Sequence, residues 1–325
     1  MYAQNSISQN VYITGATGFV GRALVQYWLG SSKTMQIFIQ TRDIKKAEEI
    51  FKYAPNLRFV HRFADIQKDC LIDLVVNLAG APIADKPWSR TRKNTLRDSR
   101  IALSQQLFDD IAASGQHVDA LIQASAVGIY GYEQPLETEA SSGLHGCVEA
   151  DVVGNGFAAE LCADWESVSL SKGQKVCNRV VILRLGVVLG KGGGLLKKLL
   201  PVYWFGLGGP IGTGRQPFPW VHLKDVVGFI DFAVKNIDVQ GSYNLVAPQH
   251  ISQGVFAKAL SGVLKRPCIF CTPAWFMTRI LGQLANELLL GGRFVSADRV
   301  LYSGYEFVYP DLSDAIAQCA QSQKL

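Results

Sequence analysis

Apolar residues along this chain follow two periods in turn. Short runs of β-branched and aromatic residues, the first being Val11-Tyr12-Ile13, read as buried strands. Between them lie stretches with apolar residues at helical spacing, as in Ala23, Leu24, Trp28 and Leu29. Runs of the first kind recur at 36–40, 57–60, 73–78, 120–124, 179–185 and 242–246. Helical spacing recurs at 97–113, at 155–170 with Phe157, Leu161, Trp165 and Val168 on one face, just past Asp225, at 251–264 and at 273–290. The end of the chain, 304–316, reads as a strand followed by a short helix. Strands alternating with helices imply right-handed crossovers and hence a parallel sheet, a doubly wound α/β fold.

The first strand runs into Thr14-Gly15-Ala16-Thr17-Gly18-Phe19-Val20-Gly21, where Gly15, Gly18 and Gly21 stand three residues apart ahead of a helical stretch. Strand, glycine turn and helix in that order make a dinucleotide-binding fingerprint of Rossmann type. The glycines tighten the turn, let backbone N–H groups approach a pyrophosphate and let helix pack on strand. The helix N-terminus adds unpaired N–H groups and a positive dipole end. A merely structural turn is the other reading, and the flanking strand and helix weigh against it. The second strand ends at Thr41-Arg42-Asp43. An acidic residue there would bind the ribose 2′-hydroxyl of NAD, whereas Arg42 suits the 2′-phosphate of NADP. The expectation is therefore NADP(H). NAD(H) would be preferred if Asp43 points inward, and a solvated Arg42 is the remaining reading. Asp65, past the third strand, reads equally as an adenine neighbour or a turn residue. Ala79-Gly80-Ala81, at the end of the fourth strand, is small enough for a cofactor to approach the backbone.

Composition narrows the class without naming a substrate. With 325 residues, 48% hydrophobic and 18% charged, the chain can bury the core of one large or two modest globular domains. A net charge of +5 without a long basic run gives no reason to expect nucleic acid. Residues 1–10 are polar and read as a flexible tail rather than a signal peptide. No apolar run has the length of a membrane span, so no membrane partner is expected. Seven cysteines without framework spacing suit a reducing cytoplasm. Cys268-Ile-Phe-Cys271 lacks a second pair for a metal and reads as ordinary buried thiols. Beyond Gly186 the composition shifts to glycine-rich loops. The expected division is a nucleotide-binding domain over 11–190, with 223–246 returning to its sheet, and a smaller mixed substrate or lid region over 191–222 and 247–325. Ligands bind outside the carboxyl ends of such strands, where that region would close.

Taken together, the glycine turn, Asn77-Leu78-Ala79-Gly80, the stretch 125–131 and Arg184-Leu185-Gly186-Val187-Val188-Leu189-Gly190 resemble the extended and atypical short-chain dehydrogenase/reductases. Within that superfamily, Asp98-Ser99-Arg100, Cys162-Ala-Asp-Trp165-Glu166, the loop 206–216, Pro219-Trp220-Val221-His222 and Gly304-Tyr305-Glu306-Phe307-Val308-Tyr309-Pro310 resemble the epimerase-family proteins of the YfcH type, with their C-terminal domain of unknown function. The resemblance spans nearly the whole chain. It implies an NADP(H)-binding fold in which Gly15, Thr17, Gly18, Phe19 and Val20 form the phosphate turn, and Thr41 and Arg42 flank the 2′-phosphate. Leu78, Ala79 and Gly80 would line the dinucleotide together with Gly186 and Val187, and Arg100 would reach the phosphates from its helix. A helix-surface salt bridge is the other reading of Arg100.

The superfamily's usual mechanism uses a tyrosine acid, a lysine four residues on that lowers its pKa, and a serine that polarises the carbonyl. No Tyr-x-x-x-Lys occurs in this sequence. Aligned on Glu166, the tyrosine's place falls to Ala158 and the lysine's to Cys162, while Ala126 takes the serine's place one residue after Ser125. Ser125, Tyr130 and His222 are the candidate catalytic residues, with Cys162 and Glu166 behind them. Each has a bland reading: hydrogen bonding for His222, packing for Cys162, an ion pair for Glu166. Arg184 would hold an anionic substrate or brace a carboxylate. The functional expectation is an NADP(H)-dependent oxidoreductase, or an enzyme resembling nucleoside-diphosphate-sugar epimerases, that acts on a nucleotide sugar or carbonyl compound. The alternative is a catalytically silent NADP(H)-binding redox sensor. A homodimer is expected by analogy with the fold alone.

Overall fold

The computed structural model describes residues 9–31, 35–52, 54–132 and 146–320. The amino-terminal half runs β1 (Gln9–Thr14), α1 (Phe19–Ser31), β2 (Met35–Gln40), α2 (Ile44–Phe51), β3 (Leu57–Val60), β4 (Leu74–Asn77), α3 (Arg90–Arg97), α4 (Leu103–Ser114), β5 (Val118–Ala126) and α5 (Phe157–Val168). The remainder runs α6 (Gln174–Val176), β6 (Cys177–Leu185), β7 (Val187–Leu189), α7 (Gly194–Trp204), β8 (Trp220–His222), α8 (Leu223–Lys235), β9 (Gly241–Leu245), α9 (Gln253–Leu264), α10 (Ala274–Leu281), α11 (Gln283–Ala285), α12 (Asp298–Tyr302) and α13 (Leu312–Ala320).

Among the described residues, seven strands pair in parallel in the order β3-β2-β1-β4-β5-β6-β9. Both faces are covered, so the strands carry apolar residues on both sides. Val11, Ile13, Ile37, Ile39 and Val76 pack with Leu24 and Trp28 of α1 and Phe229 of α8 on one face. Tyr12, Phe38, Val75 and Leu121 pack with Leu107, Phe108 and Ile111 of α4 on the other. The strand order reverses direction between β1 and β4, which opens a crevice at their carboxyl ends. A second apolar cluster, with Leu196, Leu200, Trp220, Phe256 and Ile316, centres the smaller carboxyl-terminal region. The α8–β9 segment returns to the sheet, and Trp28 Nε1 donates to Asp231 of α8 at 2.9 Å.

Several element boundaries differ from the sequence expectation for identifiable reasons. Of the expected tail, 1–8 lies outside the described residues, but Gln9 and Asn10 belong to β1, where the Asp73 carboxylate accepts from the Asn10 N–H at 2.7 Å. The helix expected at 97–113 starts at Arg90, where Ser89 caps it, and passes through a π-helical turn at Asp98–Ala102. The stretch 273–290 breaks at Gly282, whose φ of +56° cannot continue a helix. No strand forms at 304–310, because the Asp225 carboxylate takes the N–H groups of Val308 and Tyr309 that a strand partner would need. Short strands β7 and β8 pair with each other, which the periodicity did not predict. Cys271 is exposed and Cys268 half-buried, so the Cys-x-x-Cys pair does not lie in a core.

Candidate functional site

The glycine turn closes the crevice between β1 and β4. Gly15 has φ +69°, and a Cβ there would lie 2.6 Å from the Leu78 carbonyl carbon. A Cβ on Gly21 would lie 2.4 Å from the Gly15 carbonyl oxygen, so α1 sits directly on the turn. Gly18 differs: it is exposed, and its Cβ would meet only the Gly15 oxygen, at 3.1 Å. Two glycines thus permit close packing, and the third leaves the start of α1 uncovered, its own N–H donating to the Gly15 carbonyl at 2.9 Å. Phe19, Thr17 and Val20 are half-buried beside it, with the Phe19 ring seated against the backbone of Gly193 and Gly194. A buried polar network floors the crevice. Thr14 Oγ1 donates to Asn77 Oδ1 at 2.5 Å and accepts from the Ala79 N–H at 3.2 Å. Asn77 Nδ2 donates to Ser104 and Gln123, each at 2.9 Å, and Trp165 Nε1 donates to Ser104 at 3.0 Å. The ends of β1, β4 and β5 are thereby fixed to α4 and α5.

At the end of β2 the two readings of Arg42 and Asp43 separate. Asp43 is the N-cap of α2, its carboxylate accepting from the Lys46 N–H at 3.1 Å, while Thr41 Oγ1 donates to the Asp43 carbonyl at 3.1 Å. The acidic side chain is therefore committed to its own helix. Arg42 is exposed and takes part in no ion pair among the described residues. Asp65 accepts from the N–H groups of His61 and Arg62, each at 3.0 Å, and is a turn residue.

Arg100, on the π-helical turn, lies 5.2 Å from the Trp165 ring centroid and against Gly80, with no carboxylate partner among the described residues. This is not the helix-surface salt bridge. Burial pulls its guanidinium below the ordinary range, and the like charge of Arg92 adds to that, against the Cys162 thiol. Arg92 donates to the Pro82 carbonyl, and its Nε is buried without a partner. Arg100 Nη1 donates to the Leu96 carbonyl at 3.3 Å and Ser99 Oγ at 3.4 Å, and a half-buried guanidinium with no carboxylate suits an anion. The sequence reading missed Arg92; its only signal was the basic run Arg90-Thr-Arg-Lys-Asn-Thr-Leu-Arg97. Leu78 and Ala79 sit half-buried at the crevice mouth. Gly186 and Val187 are tied by their N–H groups to the Leu245 and Pro219 carbonyls at 3.1 and 2.8 Å.

The candidate catalytic side chains stand differently. Ser125 is buried and donates to Glu166 at 2.6 Å. Glu166 is gripped by both arms of Arg184, Nε to Oε1 at 3.0 Å and Nη2 to Oε2 at 2.9 Å. Burial works against the Arg184 charge, and the bonds and charge of Glu166 outweigh it, raising its pKa. Tyr130 accepts from Arg184 at 2.8 Å and donates to Asn244 at 2.6 Å, and burial pushes its hydroxyl up to about 12 despite Arg184. Arg184 thus braces a carboxylate. His222 lies apart from this cluster: its Nδ1 accepts from the Lys224 N–H at 3.2 Å as the N-cap of α8, and its Nε2–H donates to Gln318 at 3.0 Å. Burial, with the Lys224 charge, lowers its pKa to about 4. Ser125, Tyr130 and His222 are thus each engaged in hydrogen bonds within the fold. On α5, Ala158 and Cys162 are buried, and burial, with the Glu166 charge, pushes the Cys162 thiol up to about 11. Glu287, which the sequence reading did not single out, accepts from the N–H groups of Phe157 and Ala158 at 3.1 and 2.9 Å and caps α5 from the carboxyl-terminal region.

Comparison with known proteins adds a lineage to this geometry. Residues 11–246 match the NAD dependent epimerase/dehydratase family, and 272–319 match a domain of unknown function, DUF1731. The chain is 34% identical over 323 residues to the chloroplastic epimerase family protein SDR39U1 homolog of Arabidopsis thaliana, covering 98% of this chain and 89% of that one. It is 33% identical over 307 residues to an epimerase family protein of Mycobacterium bovis, covering 94% and 96%. Its fold superposes with a TM-score of 0.81 on the crystal structure of human epimerase family protein SDR39U1 (isoform 2) with NADPH, at 28% identity, covering 97% and 100%.

Proposed function

This chain belongs to the NAD dependent epimerase/dehydratase family, and we propose that within it the protein is an NADP(H)-dependent oxidoreductase acting on a carbonyl compound or nucleotide sugar without a tyrosine–lysine acid. The observation that carries the cofactor half is at the end of β2, where Asp43 caps α2 and Arg42 is left for a 2′-phosphate. The turn fits the rest of the dinucleotide: at Gly15 and Gly21 neighbouring backbone fills the space a Cβ would need, and the exposed Gly18 leaves the start of α1 uncovered. Arg100, a desolvated cation without an acid, suits the phosphates beside Gly80. The human relative crystallised with NADPH supports the same choice. A bound nicotinamide would exchange the hydride with the substrate, and the glycine turn, held in place by the buried Thr14–Asn77–Ser104 network, would hold the dinucleotide. Seven unpaired cysteines suit a reducing compartment such as the cytoplasm.

One observation favours a second reading. Ser125, Tyr130 and His222 are each held by structural hydrogen bonds, which suits a protein that binds NADP(H) and reports redox state without turnover. Calorimetry separates the cofactor half: Arg42→Ala should weaken NADPH by about 10–100-fold, the worth of one or two charge-assisted hydrogen bonds, and leave NADH unchanged. Equal effects on both cofactors would refute the assignment of Arg42. Following the absorbance of NADPH across a panel of carbonyl compounds and nucleotide sugars separates the rest. Turnover supports the oxidoreductase, and tight binding with no turnover supports the sensor.

A further inference from the structure

Helix α10, Ala-Trp-Phe-Met-Thr-Arg-Ile-Leu, is apolar and has no buried residue. Its neighbours are alike. The loop after α7 runs beside the segment leading into α10, joined by the Thr272 N–H to the Pro210 carbonyl at 2.9 Å and the Gly212 N–H to the Thr272 carbonyl at 2.8 Å. Gly209 lies directly on the Phe270 carbonyl, and the Arg266 guanidinium lies 5.3 Å from the Trp204 ring centroid. The two segments therefore form one surface. On it Phe205 is 82% exposed, Ile269 76% and Trp275 69%, with Leu207, Phe270 and Phe276 also exposed. Soluble monomers rarely leave so many large apolar side chains together in water, which makes this surface a candidate docking face.

Charge identifies the occupant. Between Glu166 and Asp225 there is no acidic residue, nor between Asp238 and Glu287. Within these spans Lys191, Lys197, Lys198, Arg215 and Lys224 accompany the first segment, and Lys258, Lys265, Arg266 and Arg279 the second. Lys198 is occupied by Asp85; Lys265, Arg266 and Arg279 are exposed on or beside the apolar face. A second copy docked through this face by a two-fold axis would set Lys265, Arg266 and Arg279 against their own copies, and neither segment brings an acid of its own. A nucleic acid would want stacking platforms within a cationic groove, whereas aliphatic Leu207, Ile269 and Ile280 occupy this surface. A layer that is apolar within and anionic at its surface satisfies both parts, with tryptophan and phenylalanine at the boundary.

We propose that the surface formed by the loop after α7, the 265–272 segment and α10 docks this protein on an anionic phospholipid bilayer, lying in the interface plane. Among the described residues no helix is long and apolar enough to cross a membrane; a surface lying in the interface needs no such length. The proposal is independent of the cofactor reading.

Cosedimentation of the full chain with vesicles tests it, using phosphatidylcholine mixed with phosphatidylglycerol and phosphatidylcholine alone. The chain should pellet with the mixed vesicles and stay in solution with the neutral ones, and binding should fall by about tenfold or more at high salt, which screens surface charge. Trp275→Ser with Phe276→Ser should abolish binding while NADPH affinity stays that of the parent, since neither side chain supports the core. Arg266→Glu with Arg279→Glu should do the same through charge and keeps the test sound if the first variant misfolds. No pelleting with mixed vesicles, equal pelleting with both kinds, or binding unchanged in both variants would overturn the proposal. Concentration-dependent self-association that is lost in the serine variant, without vesicle binding, would instead assign the face to a second copy.

Discussion

Two stretches of the same sheet edge treat their polar groups in opposite ways. At the carboxyl ends of β1, β2 and β4, Arg42, Arg92 and Arg100 have no carboxylate partner among the described residues. At the carboxyl ends of β5, β6 and β9, Ser125, Glu166, Arg184, Tyr130 and Asn244 form one closed hydrogen-bonded chain. Buried polar groups cost free energy unless they are partnered, so the half-buried Arg92 and Arg100 mark a place for an anion, to which the exposed Arg42 adds a solvated cation. The first stretch has the marks of a binding site; the second is a polar core. Ala158 and Cys162 of α5 are buried beside this stretch. The space around Ser125 is taken up by the Glu166–Arg184 ion pair.

The largest expected effect breaks the closed stretch. Glu166→Ala strands a buried guanidinium and the Ser125 hydroxyl, and should cost about 3–5 kcal/mol of folding stability, read as a lower urea midpoint. Replacing both partners, with Glu166→Leu and Arg184→Met, should cost distinctly less, because no charge is left unpaired. A loss under about 1 kcal/mol for Glu166→Ala would mean that the pair is not structural, and the contrast between the two stretches would fail.

At the open stretch the effect should fall on the ligand. In Gly21→Ala the new Cβ meets the Gly15 carbonyl oxygen at 2.4 Å, so α1 must move off the turn. The expected cost is about 1–3 kcal/mol in stability, with NADPH affinity falling further, since the shifted backbone is the phosphate cradle. Gly30→Ala in the same helix meets nothing within 4 Å and provides the control. It should raise stability by about 0.5–1 kcal/mol, the difference in helix propensity, and leave NADPH binding alone. Equal effects from the two glycines would show that the turn does not hold the cofactor.

Most of the open stretch, though not Arg92, was readable from sequence and the closed one was not, for a physical reason. Glycine spacing, strand period and the Arg42 position are local, and each constrains backbone within a few residues of itself. The Ser125–Glu166–Arg184–Tyr130–Asn244 chain joins residues as much as 114 apart along the sequence, as Tyr130 and Asn244 are. Only the fold brings them together. Thus Arg184 and Glu166 were each legible as members of an ion pair, but not as partners of each other. The capping of α5 by Glu287 and the loss of a strand to Asp225 belong to the same class: carboxylates reaching across the molecule to backbone N–H groups. Conversely, the Asp43 cap was within reach of sequence reasoning, because an aspartate just before a helix is a local signal.

His222 gives the smallest and most specific effect. Its Nδ1 must stay unprotonated to accept from the Lys224 N–H, and burial holds its pKa at about 4 against an ordinary 6.5. Between those two values the unfolded chain binds more protons than the folded one, so stability rises with pH across that window and is lost as pH falls through it. His222→Asn retains a capping side chain and removes the titration. Parent and variant should therefore be similar in stability at neutral pH, and the parent should lose about 1–2 kcal/mol relative to the variant by pH 5. A residue working as an acid or base would titrate near neutrality instead, with a pH–stability difference centred there. NMR titration of the His222 ring, followed alongside denaturation of both proteins, decides between the two. A ring pKa near 7 would return His222 to the catalytic candidates and show that the closed stretch does not account for every acid–base group on this edge of the molecule.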